Sequence, residues 1–324
     1  MYKSKILFWI IMSYGTILTL SSNNWISMWM GLEINMMSFI PLINNKNKST
    51  SEAMMIYLLT QSVSSMLLMF SVIIMNLTMN NMMYNLIMVS LLIKLGAAPF
   101  HMWLPEMITK MSWINGMLLM TWQKIAPLMM MNNLTLNNKI LYTTVILSVM
   151  VGTLGGLNQM SLRKIMGYSS INHLGWMLSL SKTKSYWINY LMIYSIMVIM
   201  MCWMFNQYNM IHLNQVNNMN LTFTEKMNYI TAMLSLGGLP PFLGFLPKWM
   251  VIQTMMNNQL IMMMIIMMMC SLISLFYYMR IMTSMMLSFS MSNKWITTQP
   301  KMMMTFSIMT VNMSLPIIMM MNMI

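Results

Sequence analysis

Lys94-Leu-Gly-Ala-Ala-Pro-Phe-His-Met-Trp-Leu-Pro105 and Leu236-Gly-Gly-Leu-Pro-Pro-Phe-Leu-Gly-Phe-Leu-Pro-Lys248 are two versions of one motif. Pro99, Phe100, Leu104 and Pro105 recur at Pro241, Phe242, Leu246 and Pro247, all 142 residues further on, and Gly96 recurs at Gly238. Each copy closes a long apolar run with glycine and proline, which end or break a helix because proline lacks the N–H donor and glycine accepts left-handed backbone. A lysine borders each break.

Outward from these copies, apolar runs near 20 residues recur from end to end, each long enough to cross a hydrocarbon core of ~30 Å. The chain has 324 residues, of which 58% are hydrophobic and 6% charged, and its mean hydropathy is +0.65. The expected fold is all-α: a polytopic integral membrane protein of about eleven spans. These fall near 5–22, 25–43, 53–78, 82–98, 112–132, 139–157, 162–181, 186–206, 227–249, 259–280 and 302–322. The alternating ~10-residue strands of a membrane β-barrel are missing from the sequence. A single membrane domain over 1–324 is expected, with repeat halves near 1–135 and 136–285 and a final helix near 300–324. The two motif copies fall in the fourth and ninth spans. An odd separation makes them cross in opposite directions, which is the inverted-repeat plan of many transporters.

The formal charge of +13 reads as topology rather than nucleic-acid binding, because the cations sit singly in loops. Lys3, Lys5, Lys46, Lys48, Lys110, Arg163, Lys164, Lys226, Lys294 and Lys301 share the N-terminal side, against Lys139, Lys182 and Lys184 on the other. Methionine is used 59 times, often where isoleucine or leucine would serve, and aspartate is absent. Such bias fits an AT-rich gene read with an animal mitochondrial code. The expected location is therefore the mitochondrial inner membrane, with the N-terminus in the matrix. Cys202 and Cys270 both lie in apolar spans and His101, His173 and His212 are far apart, so neither a disulfide framework nor a metal site is expected.

Four charges lie inside the spans: Glu33, Lys94, Lys124 and Lys248. Each costs ~2.5–3.5 kcal/mol at the bilayer centre, ~10–14 kcal/mol together, unless it pairs, lines water or sheds its charge. Three of them stand beside helix-breaking glycines or prolines. Lysine removed from water can release its proton near neutral pH, whereas arginine keeps its own. A row of lysines with a carboxylate at one end therefore suits proton relay. His173 is a further relay candidate, although a lone intramembrane histidine serves equally as a structural hydrogen-bonder. Lys248 falls near the end of its expected span, where a lysine can snorkel to the interface. No phosphate cradle, nucleophilic triad or dinucleotide fingerprint occurs.

At these residues the chain resembles the antiporter-like membrane subunits of respiratory complex I. The resemblance rests on Trp29-Met-Gly-Leu-Glu-Ile-Asn, Ser49-Thr-Ser-Glu-Ala, Lys94-Leu-Gly-Ala-Ala-Pro-Phe-His and Leu119-Met-Thr-Trp-Gln-Lys-Ile-Ala-Pro. It continues through Gly155-Gly-Leu-Asn-Gln, Leu162-Arg-Lys-Ile-Met-Gly-Tyr-Ser-Ser-Ile-Asn-His-Leu-Gly-Trp and the second motif copy, and fades after about residue 290. It implies eleven spans and a proton-translocating axis of Glu33, Lys94, Lys124 and Lys248. It also implies neighbouring membrane-arm subunits, some antiporter-like, and lipids as partners. FMN, iron–sulfur clusters and ubiquinone would be held by other subunits, with no cofactor and no redox chemistry in this chain. A free-standing cation/proton antiporter and a structural scaffold without a proton path are the competing readings.

Overall fold

A computed structural model describes residues 2–44, 47–78, 82–134, 138–181, 186–218, 222–290 and 302–316. Among these the protein is helical, with no strand beyond one antiparallel bridge between Ser161 and His212. The helices in chain order are α1 (Tyr2–Ser21), α2 (Trp25–Ile43), α3 (Lys48–Thr78), α4 (Met82–Leu95), α5 (Trp103–Lys110), α6 (Trp113–Met120) and α7 (Ile125–Asn133). They continue with α8 (Asn138–Gly156), α9 (Leu162–Ser179), α10 (Tyr186–Gln207), α11 (Leu213–Asn218), α12 (Phe223–Gly237), α13 (Phe245–Asn257), α14 (Ile261–Ser290) and α15 (Met302–Asn312). Lipid offers backbone groups no hydrogen bonds, so apolar runs of this length satisfy them within helices. Five helices (α2, α3, α8, α10 and α14) are long and apolar enough to cross a membrane, and α1 and α4 are shorter apolar helices.

The repeated motif folds the same way twice. The first copy ends α4 at Leu95 and starts α5 at Trp103; the second ends α12 at Gly237 and starts α13 at Phe245, again 142 residues on. Gly96 at φ +69° and Gly238 at φ +77° take the left-handed conformation just past each helix. In the first copy Gly96 N–H bonds Ile93 O and Ala97 N–H bonds Leu92 O; in the second, Gly238 N–H bonds Ser235 O and Leu239 N–H bonds Leu234 O. This is one helix-ending motif used twice, and it satisfies the last carbonyls of each broken helix inside the bundle.

Two expectations change. The 112–132 span is not one helix: α6 and α7 are separated by a 3-10 turn at Trp122–Lys124. Pro127 has no N–H for the Gln123 carbonyl, and the Thr121 hydroxyl donates to Met117 O at 2.8 Å, so the ladder fails there. The 227–249 span is broken as its glycines and prolines predict, into α12 and the start of α13; what changes is Lys248, which stands in the first turn of α13 and not at the outer end of a span.

α9 is the central helix, buried along nearly its whole length from Leu162 to Leu178. It approaches α8 closely because Gly152 lets the backbone of Asn172 within 2.6 Å of where a Cβ would stand. One end of the bundle gathers the cationic loops. There Lys110 Nζ pairs with Glu52 at 2.8 Å, Arg163 donates to Thr109 O at 2.9 Å, and Leu162 N–H bonds Ile211 O. The opposite end is rich in amides, with Asn23, Asn24, Asn76, Asn132 and Asn133 lining shallow pockets. Of the loop cations in the topology reading, Lys46, Lys182, Lys184, Lys294 and Lys301 lie outside the described residues, as do residues 317–324 of the last expected span.

Candidate functional site

The four intramembrane charges follow a path through the middle of the bundle. Glu33 sits half-buried in α2, and its Oε1 is enclosed without a hydrogen-bond partner among the described residues, as is the indole N–H of Trp29 one turn earlier. Glu33 lies within electrostatic reach of Lys94 and Tyr57. It does not form an ion pair with Lys94, unlike Glu52, which pairs with Lys110 at the bundle end.

Lys94 occupies the last turn of α4 and is 7% exposed. Its own carbonyl accepts Gln61 Nε2 at 3.4 Å, and the carbonyl of the residue before it, Ile93 O, accepts Trp103 Nε1 at 3.2 Å. These two side chains hold the broken end of α4 in place. Lys94 and Lys124 both line one cavity, together with Asn35, Tyr57, Gln61 and Gln123. The cavity offers ≈ 20 Å³ to the centres of water molecules, and about 10–15 Å³ on that measure holds one water. Its polar wall is internally bonded: Gln123 Nε2 donates to Asn35 Oδ1 at 3.0 Å, and the Tyr57 hydroxyl reaches Gln123 Oε1 at 3.4 Å.

Lys124 is 2% exposed and sits in the 3-10 break, where the interrupted ladder turns its side chain toward α9. Its Nζ donates to Ser170 O at 3.0 Å and lies 5.2 Å from the centre of the Tyr194 ring, a cation–π distance. His173, one turn further along α9, is buried, with Nδ1 2.9 Å from the Tyr190 hydroxyl and its ring 4.9 Å from that of Tyr194. It lies within electrostatic reach of both Lys124 and Lys248. Lys248 is 6% exposed; its Nζ donates to Gly237 O at 2.6 Å, the last carbonyl of α12, and stands 5.8 Å from the Trp176 ring centre. A snorkelling lysine would point outward; this one points into the break.

The structure thus brings Lys94 to Lys124 across one cavity and sets His173 between Lys124 and Lys248, with Glu33 beside Lys94 but unpaired. Sequence reading missed Asn35, Gln61, Gln123 and Tyr57, which build the cavity wall, and the phenols around His173. The available signal was uncharged polar residues deep in apolar spans, two of them adjacent to or near the charges already singled out. Among the described residues no group of histidine, cysteine, aspartate or glutamate is placed to hold a metal ion.

A helical membrane protein with a twice-used broken-helix motif and a buried line of lysines defines the class. Residues 22–274 match the family described as NADH:quinone oxidoreductase/Mrp antiporter, transmembrane, and the chain belongs to that family. A protein of Anopheles gambiae named NADH-ubiquinone oxidoreductase chain 2 is 43% identical over 304 residues, covering 90% of this chain and 89% of its own. One of the same name from Lemur catta is 39% identical over 309 residues, covering 89% and 88%. Among solved structures, a chain of respiratory complex I from Thermus thermophilus with bound aureothin superposes with a TM-score of 0.81. It is 22% identical and covers 87% of this chain and 70% of that one. A chain of the Mrp complex from Dietzia sp. DQ12-45-1b gives a TM-score of 0.76 at 16% identity, covering 86% and 59%. These two likenesses are of fold.

Proposed function

We infer that this chain is a membrane-arm subunit of respiratory complex I that conducts protons across the mitochondrial inner membrane through Glu33, Lys94, Lys124 and Lys248, with His173 as a further relay. NADH oxidation and ubiquinone reduction occur in other subunits, which hold the flavin, iron–sulfur clusters and ubiquinone. Neighbouring antiporter-like subunits and lipid cover the apolar outer faces, and the cationic end with the N-terminus faces the matrix. The observation that carries this reading is the cavity shared by Lys94 and Lys124, a polar space large enough for water inside an apolar bundle.

Glu33 and Lys94 supply the coupling. Charges brought from ~8 to ~4 Å apart at an effective dielectric of ~20 change their interaction by about 2 kcal/mol, roughly a thirtyfold change in the equilibrium for keeping a proton on the lysine. Motion of α2 against α4 on that scale loads or unloads Lys94. Water in the cavity passes the proton to Lys124, and His173 spans the remaining step toward Lys248. The test is a structure of the intact complex that resolves waters in this subunit. A wet chain from Glu33 to Lys248 supports conduction; a dry, packed gap between Lys124 and Lys248 contradicts it.

A further inference from the structure

Two amides line the cavity shared by Lys94 and Lys124, and each is a close neighbour of a charge. Asn35 stands two residues after Glu33 on α2, and Gln123 one residue before Lys124 in the 3-10 turn. Asn35 is 2% exposed, and a buried amide costs free energy unless its groups are paired. The two side chains meet directly: Gln123 Nε2 donates to Asn35 Oδ1 at 3.0 Å. Two longer contacts fill out the Gln123 amide. Its Nε2 also donates to Met12 Sδ on α1 at 3.4 Å, and its Oε1 accepts the Tyr57 hydroxyl of α3 at 3.4 Å. One glutamine thus joins three helices to the turn that carries Lys124.

That turn needs outside support. Lys124 N–H reaches Thr121 O at a loose 3.3 Å, and Pro127 offers no N–H to the Gln123 carbonyl. With so weak a ladder, side chains set how the turn is rotated about its own axis. Successive residues of a 3-10 helix leave the axis ~120° apart. Gln123 accordingly reaches α1, α2 and α3 while Lys124 reaches α9, where its Nζ donates to Ser170 O at 3.0 Å. Such a bond is lost beyond ~3.5 Å, so a displacement of about half an ångström at Nζ releases it.

We propose that Gln123 is a positioning residue that ties Lys124 to α2, transmitting movement of the helix that bears Glu33, through Asn35, to the Lys124–Ser170 contact. The tie rests on the proton-conducting reading of the lysines and adds the link by which Lys124 responds to Glu33 and Lys94. With α2 in place, Asn35 holds Gln123, the turn is fixed, and the Lys124 amine stays on Ser170 O. When α2 moves against α4, Asn35 takes Gln123 with it and the turn rotates. Lys124 Nζ then leaves Ser170 O and swings into the cavity it lines. Loading of Lys94 and freeing of Lys124 follow from one movement. The two amides neither gain nor lose a proton; they only place the amine that does.

The experiment uses the intact complex in sealed vesicles, reading protons moved per NADH at matched levels of assembled complex and matched electron-transfer rate. Asn35→Leu and Gln123→Met roughly keep side-chain size and remove the hydrogen bond between them. A neutral hydrogen bond shifts an equilibrium ~2–10-fold, and each variant is expected to cut by that factor the part of the yield that Lys124→Met abolishes. The double variant is expected to lose no more than the larger single loss, because both changes break the same bond. Asn115→Ala cuts a different hydrogen bond to α2, at Leu42 O, and is expected to keep the wild-type yield. If Gln123→Met assembles poorly, a structure of the Asn35→Leu complex is expected to show Lys124 Nζ withdrawn from Ser170 O; Nζ still bonded there overturns the tie. Wild-type yield in Asn35→Leu and Gln123→Met, with a loss in Lys124→Met, overturns the tie while the lysine line stands. Additive losses in the double variant also overturn it, as does an equal loss in Asn115→Ala. Wild-type yield in Lys124→Met overturns the lysine line and the tie together.

Discussion

Replacing Gly238 with alanine tests how the second break positions Lys248. Gly238 has φ +77°, and a Cβ there would stand 2.7 Å from both Cδ and Nζ of Lys248. The left-handed conformation costs an alanine ~1–2 kcal/mol. The lysine must also leave Gly237 O, its 2.6 Å partner, and a hydrogen bond from a charged group is worth ~1.5–3 kcal/mol. Together Gly238→Ala destabilises the α12–α13 junction by ~2.5–5 kcal/mol. Gly237→Ala is the control, since its Cβ would meet neighbours at 3.7 Å or beyond, in ordinary contact. Cys202 on α10 is the reporter, because α10 packs on both α12 and α13 and the thiol is 2% exposed. Alkylation of Cys202, resolved by peptide mass spectrometry in the intact complex, should accelerate in Gly238→Ala by about fifty-fold to several-thousand-fold, at 1.4 kcal/mol per tenfold. It should stay near wild type in Gly237→Ala. A wild-type rate in Gly238→Ala, or equal acceleration in both, would refute the placement of Lys248 against the break.

Asn115 donates to Leu42 O at 2.9 Å and ties α6 to the end of α2; Asn115→Ala should cost ~1–3 kcal/mol, seen as faster hydrogen exchange at the α2 C-terminus. Thr222 and Glu225 cap α12 reciprocally, so Thr222→Ala should cost ~0.5–2 kcal/mol and fray the first turn of α12, read by the same exchange. Tyr208, in the connection after α10, donates to Glu225 Oε1 at 2.7 Å; burial, then this carboxylate, holds its phenol above the ordinary range. The folded protein therefore keeps a proton that the open chain loses above pH ~10. This contact should weaken as pH rises through that range, and Tyr208→Phe should flatten the dependence of local exchange on pH.

The repeat was legible because proline and glycine mark backbone directly: the matched residues Gly96 and Gly238 end α4 and α12 with the same left-handed turn. The intramembrane charges were legible because a charge in an apolar run has a large cost and little company. The break at Trp122–Lys124 was not, although Pro127 stood in view. A proline inside a membrane helix often leaves only a bend. The depth of Lys248 was hidden because sequence gives no way to know that a lysine eleven residues past Gly237 folds back onto that residue's carbonyl, the last of α12. The cavity wall and the phenols depend on which faces of α2, α3, α9, α10 and α14 meet, and apolar membrane helices carry weak periodicity to tell.

Proton yield per NADH in the Lys124→Met variant of the assembled complex, at unchanged electron-transfer rate per complex, tests proton conduction through this subunit most directly. Methionine fills the same space without a titratable group or a donor for Ser170 O. Conduction through the lysine line requires that this subunit's share of the proton yield disappear. Wild-type yield at wild-type turnover would show that protons do not pass through Lys124.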